Sequence, residues 1–162
     1  MKKKLIAAAF LCMTGGMANA ATLANTVSVD ANFTVVGGCS VSGDWQGNTI
    51  SAKEYTAGSQ SVGTLGITLT GCSSQVYFLA KDLSADGLPQ ATSPSGNKVI
   101  IMPDLTAVTN GIWSKDRANN AFYTVNALTD GQSVEIALFN RDKWTAEPGA
   151  HTMVLDVGTY AI

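Results

Sequence analysis

The sequence predicts an all-β sandwich, and three features of the chain carry that expectation. Beyond residue 20 it is a succession of short β-branched and aromatic runs separated by Gly, Asn, Asp, Ser and Pro, with no long segment of helical periodicity. Several runs alternate strictly between apolar and polar residues, as a strand with one buried and one wet face does. About seven such runs in a chain of this length favour two packed antiparallel sheets over a barrel.

The first element is an export signal. Lys2, Lys3 and Lys4 precede an apolar run from Leu5 to Met13, and Ala18-Asn19-Ala20 supplies the small residues a signal peptidase needs. The apolar run is about nine residues, against the roughly 20 of a spanning helix. No later segment is long and apolar enough to cross a bilayer, so no retained anchor is expected. Cleavage after Ala20 removes Cys12 and leaves about 142 residues, the size of one domain with room for a hydrophobic core. Lys2 to Lys4 leave with the signal, so seven basic residues face twelve acidic ones in the mature chain, a formal charge of −5. That balance argues against nucleic acid or anionic lipid as a partner.

The next element, Thr22 to Val36, is the most informative. Leu23, Val27, Val29, Ala31, Phe33 and Val35 fall on odd positions, with Asn25 the one exception, while Thr26, Ser28, Asp30, Asn32 and Thr34 occupy the even ones. Such a strand has one face built for burial and, lying at a terminus, is free either to join its own domain or to leave it. Gly37-Gly38 follows as a flexible hinge.

Further strands are expected at Val62 to Thr70, Val76 to Lys81, Lys98 to Met102, Phe122 to Ala127, Ser133 to Asn140 and Thr152 to Ile162. Leu65, Ile67 and Leu69 share one face of their strand and Thr64, Thr68 and Thr70 the other, and Val134, Ile136 and Leu138 repeat the pattern. Turns are expected at Asp86-Gly87, Ser95-Gly96, Asn110-Gly111, Asp130-Gly131 and Pro148-Gly149. Asp82 to Asn97 and Asn110 to Asn120 are polar and read as loops.

Two cysteines remain after export, Cys39 and Cys72, and an even count in an exported chain implies a disulfide. It closes a loop of about 33 residues, worth on the order of 3 to 4 kcal/mol by chain entropy. A metal or redox pair is the competing reading, but no histidine lies near either cysteine. His151, the only histidine, reads as a strand-edge residue. No phosphate loop, no Ser/His/Asp arrangement in turn context and no calcium-loop spacing is present, so neither an enzyme nor a cofactor or metal is expected. Trp45, Trp113 and Trp144 read as core or loop anchors before they read as a sugar platform.

The order of these elements carries a resemblance. Signal, alternating terminal strand and Cys39 precede the run Val62-Gly63-Thr64-Leu65-Gly66-Ile67-Thr68-Leu69-Thr70-Gly71-Cys72; then come Phe122-Tyr123, Pro148-Gly149 and a closing strand through Val154-Leu155-Asp156-Val157-Gly158-Thr159-Tyr160. Together they resemble the chaperone/usher-assembled fimbrial adhesins, most closely the Dr/Afa type.

The resemblance implies an incomplete immunoglobulin-like β-sandwich of residues 37–162 that lacks its last strand and is completed by donor-strand exchange. Residues 21–36 are then the donor, with Leu23, Val27, Val29, Ala31, Phe33 and Val35 as its pegs, after a signal peptide of residues 1–20. It implies identical subunits in a head-to-tail polymer, a periplasmic chaperone, an outer-membrane usher, a fimbrium on the cell surface and attachment to a host-cell receptor. Trp113 and its polar loop are the candidate receptor contact. The alternatives are a secreted, non-polymerising, lectin-like β-sandwich binding module, in which the first strand is internal, and an exported hydrolase.

Overall fold

The computed structural model describes residues 38–161. The chain forms β1 (Ser40–Gly47), β2 (Glu54–Tyr55), β3 (Ser61–Thr70), β4 (Gln75–Ala80), β5 (Gln90–Thr92), β6 (Lys98–Pro103) and the short helix α1 (Leu105–Thr109). It continues with β7 (Trp113–Asp116), β8 (Ala121–Thr124), β9 (Ser133–Asn140), β10 (Trp144–Thr145) and β11 (Leu155–Tyr160). A five-stranded sheet runs β1-β3-β9-β6-β5, a four-stranded sheet runs β11-β4-β8-β7, and β10 and β2 make a small ribbon. All pairings among the described residues are antiparallel.

Period-2 alternation produces the core directly. Leu65, Ile67 and Leu69 of β3, Ile136 and Leu138 of β9, and Val99 and Ile101 of β6 are buried on the inner face of the first sheet. Val76 and Phe78 of β4, Phe122 of β8 and Trp113 of β7 meet them from the second sheet. Phe78 is the hub, stacked on Phe122 at 5.3 Å between centroids and edge-on to Trp113 at 5.5 Å. The result is an all-β, immunoglobulin-like sandwich whose one core joins both sheets.

Several boundaries differ from those expected, for stated reasons. β1 was not anticipated, because Ser40–Gly47 is polar and glycine-containing; it is a strand because β3 pairs it from Ser40↔Thr70 to Gly47↔Gly63. The two segments read as loops contain β5 and β7, strands of three and four residues that persist because neighbours β6 and β8 pair with them. Helix α1 is a single turn capped by Asp104, whose carboxylate accepts from the Thr106 amide at 2.8 Å. The strand from Phe122 ends at Thr124, and the last one starts at Leu155, after an isolated bridge between Thr152 and Thr92.

Trp113 requires a correction. It lies at the start of β7 with its ring 1% exposed, facing Phe78, so it is core and cannot meet a receptor without unpacking the domain. Alternation explains the placement: the inner face of β7 begins at Trp113, while Ile112 just before it is exposed.

Cys39 and Cys72 are disulfide-bonded with Cα atoms 5.1 Å apart, fastening the start of β1 to the end of β3 beside the Ser40↔Thr70 pair. Fully buried Asn140 ties the β2–β10 ribbon to the sandwich. Its Oδ1 accepts from the Gln60 amide at 2.8 Å and its Nδ2 donates to the carbonyls of Thr56 and Asp142 at 2.8 and 3.0 Å, so its amide is paired inside the protein.

Candidate functional site

Strands β1 and β11 are each the last strand of their sheet on the same side of the sandwich, and among the described residues neither has a strand on its outer edge. They come into contact where a Cβ on Gly43 would sit 3.2 Å from Val157 Cγ2. From there they diverge into an open groove of about 890 Å³. Leu65, Val99 and Ile101, all core residues, form its floor.

The walls come from side chains that alternation turns inward but nothing covers. Trp45 shares a face with Leu65, its β3 partner, yet is 42% exposed. Its ring lies across Gly63, where a Cβ would come within 2.6 Å of the Gln46 carbonyl and collide with the indole. On the opposite wall Met153, Leu155 and Val157 point inward in sequence-alternate order and are only partly buried. Paired on one side and open on the other, β1 and β11 are edge strands of the kind that invite another strand.

The wide end is aromatic. Trp144 of β10 stacks on Tyr55 of β2 at 5.9 Å and meets the His151 ring edge-on at 5.3 Å, while Lys53 Nζ lies 5.0 Å from the centre of the Tyr55 ring. Trp144 Nε1 and His151 Nε2 are buried there with no hydrogen-bond partner, an expensive condition for two groups that border the groove.

The rim at this end is held by Glu147-Pro148-Gly149. Ser95 Oγ donates to Glu147 Oε1 at 2.7 Å, and hydrogen bonds from Ser93 first and Ser95 second hold the Glu147 carboxyl below the usual carboxylate range. Gly149 has φ of 119°, and a Cβ there would lie 2.6 Å from Pro94 Cγ, so both conformation and packing require glycine. Away from the groove, the side-chain amide of Asn119 leads the hydrogen bonds that lower the pKa of Asp116, to which Tyr160 also donates at 2.9 Å. Among the described residues no group of three His, Cys, Asp or Glu side chains is arranged to hold a metal ion.

The structure thus joins Cys39 to Cys72 and puts Trp113 in the core. Leu23, Val27, Val29, Ala31, Phe33 and Val35 lie outside the described residues. Sequence reasoning missed the groove walls themselves. Met153, Leu155 and Val157 had a signal, their odd-position alternation, but Trp45 and Trp144 sit among polar residues that mark no face.

Comparison with known proteins places these features. A model of the SEF14-like adhesin family matches residues 2–99, more than half of the chain. A search of curated proteins finds no match. Among solved structures, the SafD adhesin of Salmonella is similar at a TM-score of 0.59 and 10% identity, over 75% of this chain and 88% of that one. The minor tip subunit HdaB of the Escherichia coli Hda pilus is similar at a TM-score of 0.55 and 10% identity, over 76% and 84%. The AfaE-3 adhesin of Escherichia coli is similar at a TM-score of 0.50 and 19% identity, over 82% and 100%. At these identities the structural likeness speaks for the fold, and the family match for the lineage: the chain belongs to the SEF14-like adhesins, a family of fimbrial adhesin subunits.

Proposed function

We propose that this chain is the major, and itself adhesive, subunit of a surface fimbria, polymerised by donor-strand exchange and attaching its bacterium to host cells. The observation that carries the proposal is the groove between β1 and β11, floored by core residues and flanked by two unpaired strand edges. In this reading residues 1–20 are a cleaved signal, residues 21–36 are the donor, and residues 37–162 are the acceptor domain. The donor adds a strand to each neighbour's groove, with backbone hydrogen bonds giving affinity and alternate side chains giving specificity. Burying Val27, Val29, Ala31, Phe33 and Val35 offers very roughly 8 to 12 kcal/mol of gross apolar transfer, much of it offset by ordering and association. A head-to-tail contact of this kind does not close on itself and extends into a filament.

An uncovered groove is an aggregation hazard, so a periplasmic chaperone covers it until an outer-membrane usher exchanges it for the next donor. The polymer then stands on the cell surface, where a host-cell receptor is its partner.

The test compares three versions of the protein: the mature chain, the chain lacking residues 21–36, and that shortened chain with the same segment appended through a linker after Ile162. The proposal expects only the third to be a stable monomer, while the mature chain multimerises. A mature chain that is already a stable, non-exchanging monomer overturns it and leaves a non-polymerising binding module.

A further inference from the structure

Resting on the strand-donation reading, we infer the register of the contact: residues 23–35 of a second copy lie antiparallel to the segment from Gly149 to Ala161, with Phe33 opposite His151. One number relates each pair, since the two residue numbers always sum to the same value. Phe33, the only aromatic of the segment, then seats at the wide end against His151 and Trp144, where the groove has an aromatic wall. Ala31, the smallest peg, meets Met153, the longest of the inward aliphatic side chains. Val29 meets Leu155, and Val27 meets Val157 where the groove narrows toward Gly43.

Polarity singles out this register. Asn25 is the one polar residue on the apolar face of the segment, and Thr159 is the one polar residue in the inward series of β11. They fall opposite each other, and Thr159 is exposed, so Asn25 remains solvated. Sliding the strand by two residues one way puts Asn25 against Val157 at the closed apolar end. Sliding it the other way puts Asn25 against Ala161 and Val27 against Thr159. Odd shifts turn the polar face into the groove.

In this orientation the occupant is a second copy. β1 runs from Cys39 toward the wide end, because Gly43 touches Val157 whereas Trp45, Gly47 and Asn48 border the part of the groove that Trp144 closes. In the proposed register Val35 lies at the wide end as well. A chain returning from Val35 to its own Cys39 has four residues, a reach of at most about 14 Å, to retrace a strand of eight residues, about 26 Å. The opposite direction, parallel to β11, puts Asn25 at His151 and Phe33 at Thr159, and leaves Val35 near its own Cys39, where a chain could fill its own groove.

The experiment uses the full mature chain with paired cysteines, oxidised after assembly and read on a denaturing gel with peptide mapping. Ala31→Cys with Met153→Cys is expected to give a covalent ladder of subunits, and Ala31→Cys with Val157→Cys to give none. Linkage of the second pair and not the first, or an intramolecular bond in a monomer, overturns the register. So does a non-covalent polymer dependent on residues 21–36 in which neither pair links, although strand donation then stands. A chain that stays monomeric with or without that segment removes strand donation itself, and the register with it.

Discussion

Strands β3 and β11 have the same alternating grammar and opposite fates. In β3, Leu65, Ile67 and Leu69 are closed in by β1 and β9 at the sides and by the second sheet across the core. In β11, Leu155 and Val157 alternate just as cleanly, yet they are only partly buried, with a strand on one side and a groove on the other. Alternation specifies which face seeks burial; the number of neighbouring strands decides whether it finds it within one chain. A strand with such a grammar at a sheet edge leaves apolar surface uncovered among the described residues.

Mutations on the closed side should weaken the isolated subunit most. Phe78→Ala removes the aromatic that touches both Phe122 and Trp113 and should cost about 3 to 5 kcal/mol in urea unfolding. Cys39→Ser should cost about 3 to 4 kcal/mol on the chain-entropy model, read in the same assay and compared with the reduced wild type. Asn140→Ala leaves the Gln60 amide and the Thr56 and Asp142 carbonyls buried without their partner and should cost about 1 to 3 kcal/mol.

Leu155→Ala sharpens the comparison. In the chain with residues 21–36 appended after Ile162, where the proposed donor covers the groove, it should cost about 2 to 5 kcal/mol in urea unfolding, as for a buried leucine. A cost of about 1 kcal/mol or less would mean that no strand covers Leu155.

The smallest effect expected is that of pH. Glu147 and Asp116 are held below their ordinary values by hydrogen bonds, from Ser93 and Ser95 in the first case and from Asn119 and Tyr160 in the second. A lowered folded pKa means that their stabilisation is complete above the ordinary carboxylate pKa of about 4 and is lost as pH falls through the folded value. The melting temperature of the subunit should therefore drop below that pH. Glu147→Gln should flatten part of the slope, and an unchanged profile would show that the rim bonds carry no pH-dependent stability.

Legibility in the sequence followed burial on both sides. The expected bounds of β9 match those observed, and β3 and β6 differ from expectation by one residue at one end, because each presents apolar residues at period two to a finished core. Gly87, Gly96, Gly111, Gly131 and Gly149 all adopt positive φ at the turns anticipated for them. β1 escaped because Gly43 and Gly47 occupy inward positions, and its pairing with β3 takes the place of side-chain pattern. Trp113 was readable as a core or loop anchor, and its second reading as a receptor contact arose because one tryptophan among Gly, Ser, Lys and Asp has no periodic neighbours to disclose the face it belongs to.

The sequence by itself determined an all-β chain, the alternating inner faces and the turn positions, since these depend on local backbone preference and on residues two apart. Only the tertiary structure decided that β1 and β11 stop short of each other, that Trp113 is core, and that Trp45, Trp144 and His151 surround an open end. Those facts depend on which strands become neighbours across the sandwich, and no periodicity within a single strand encodes what lies beside it.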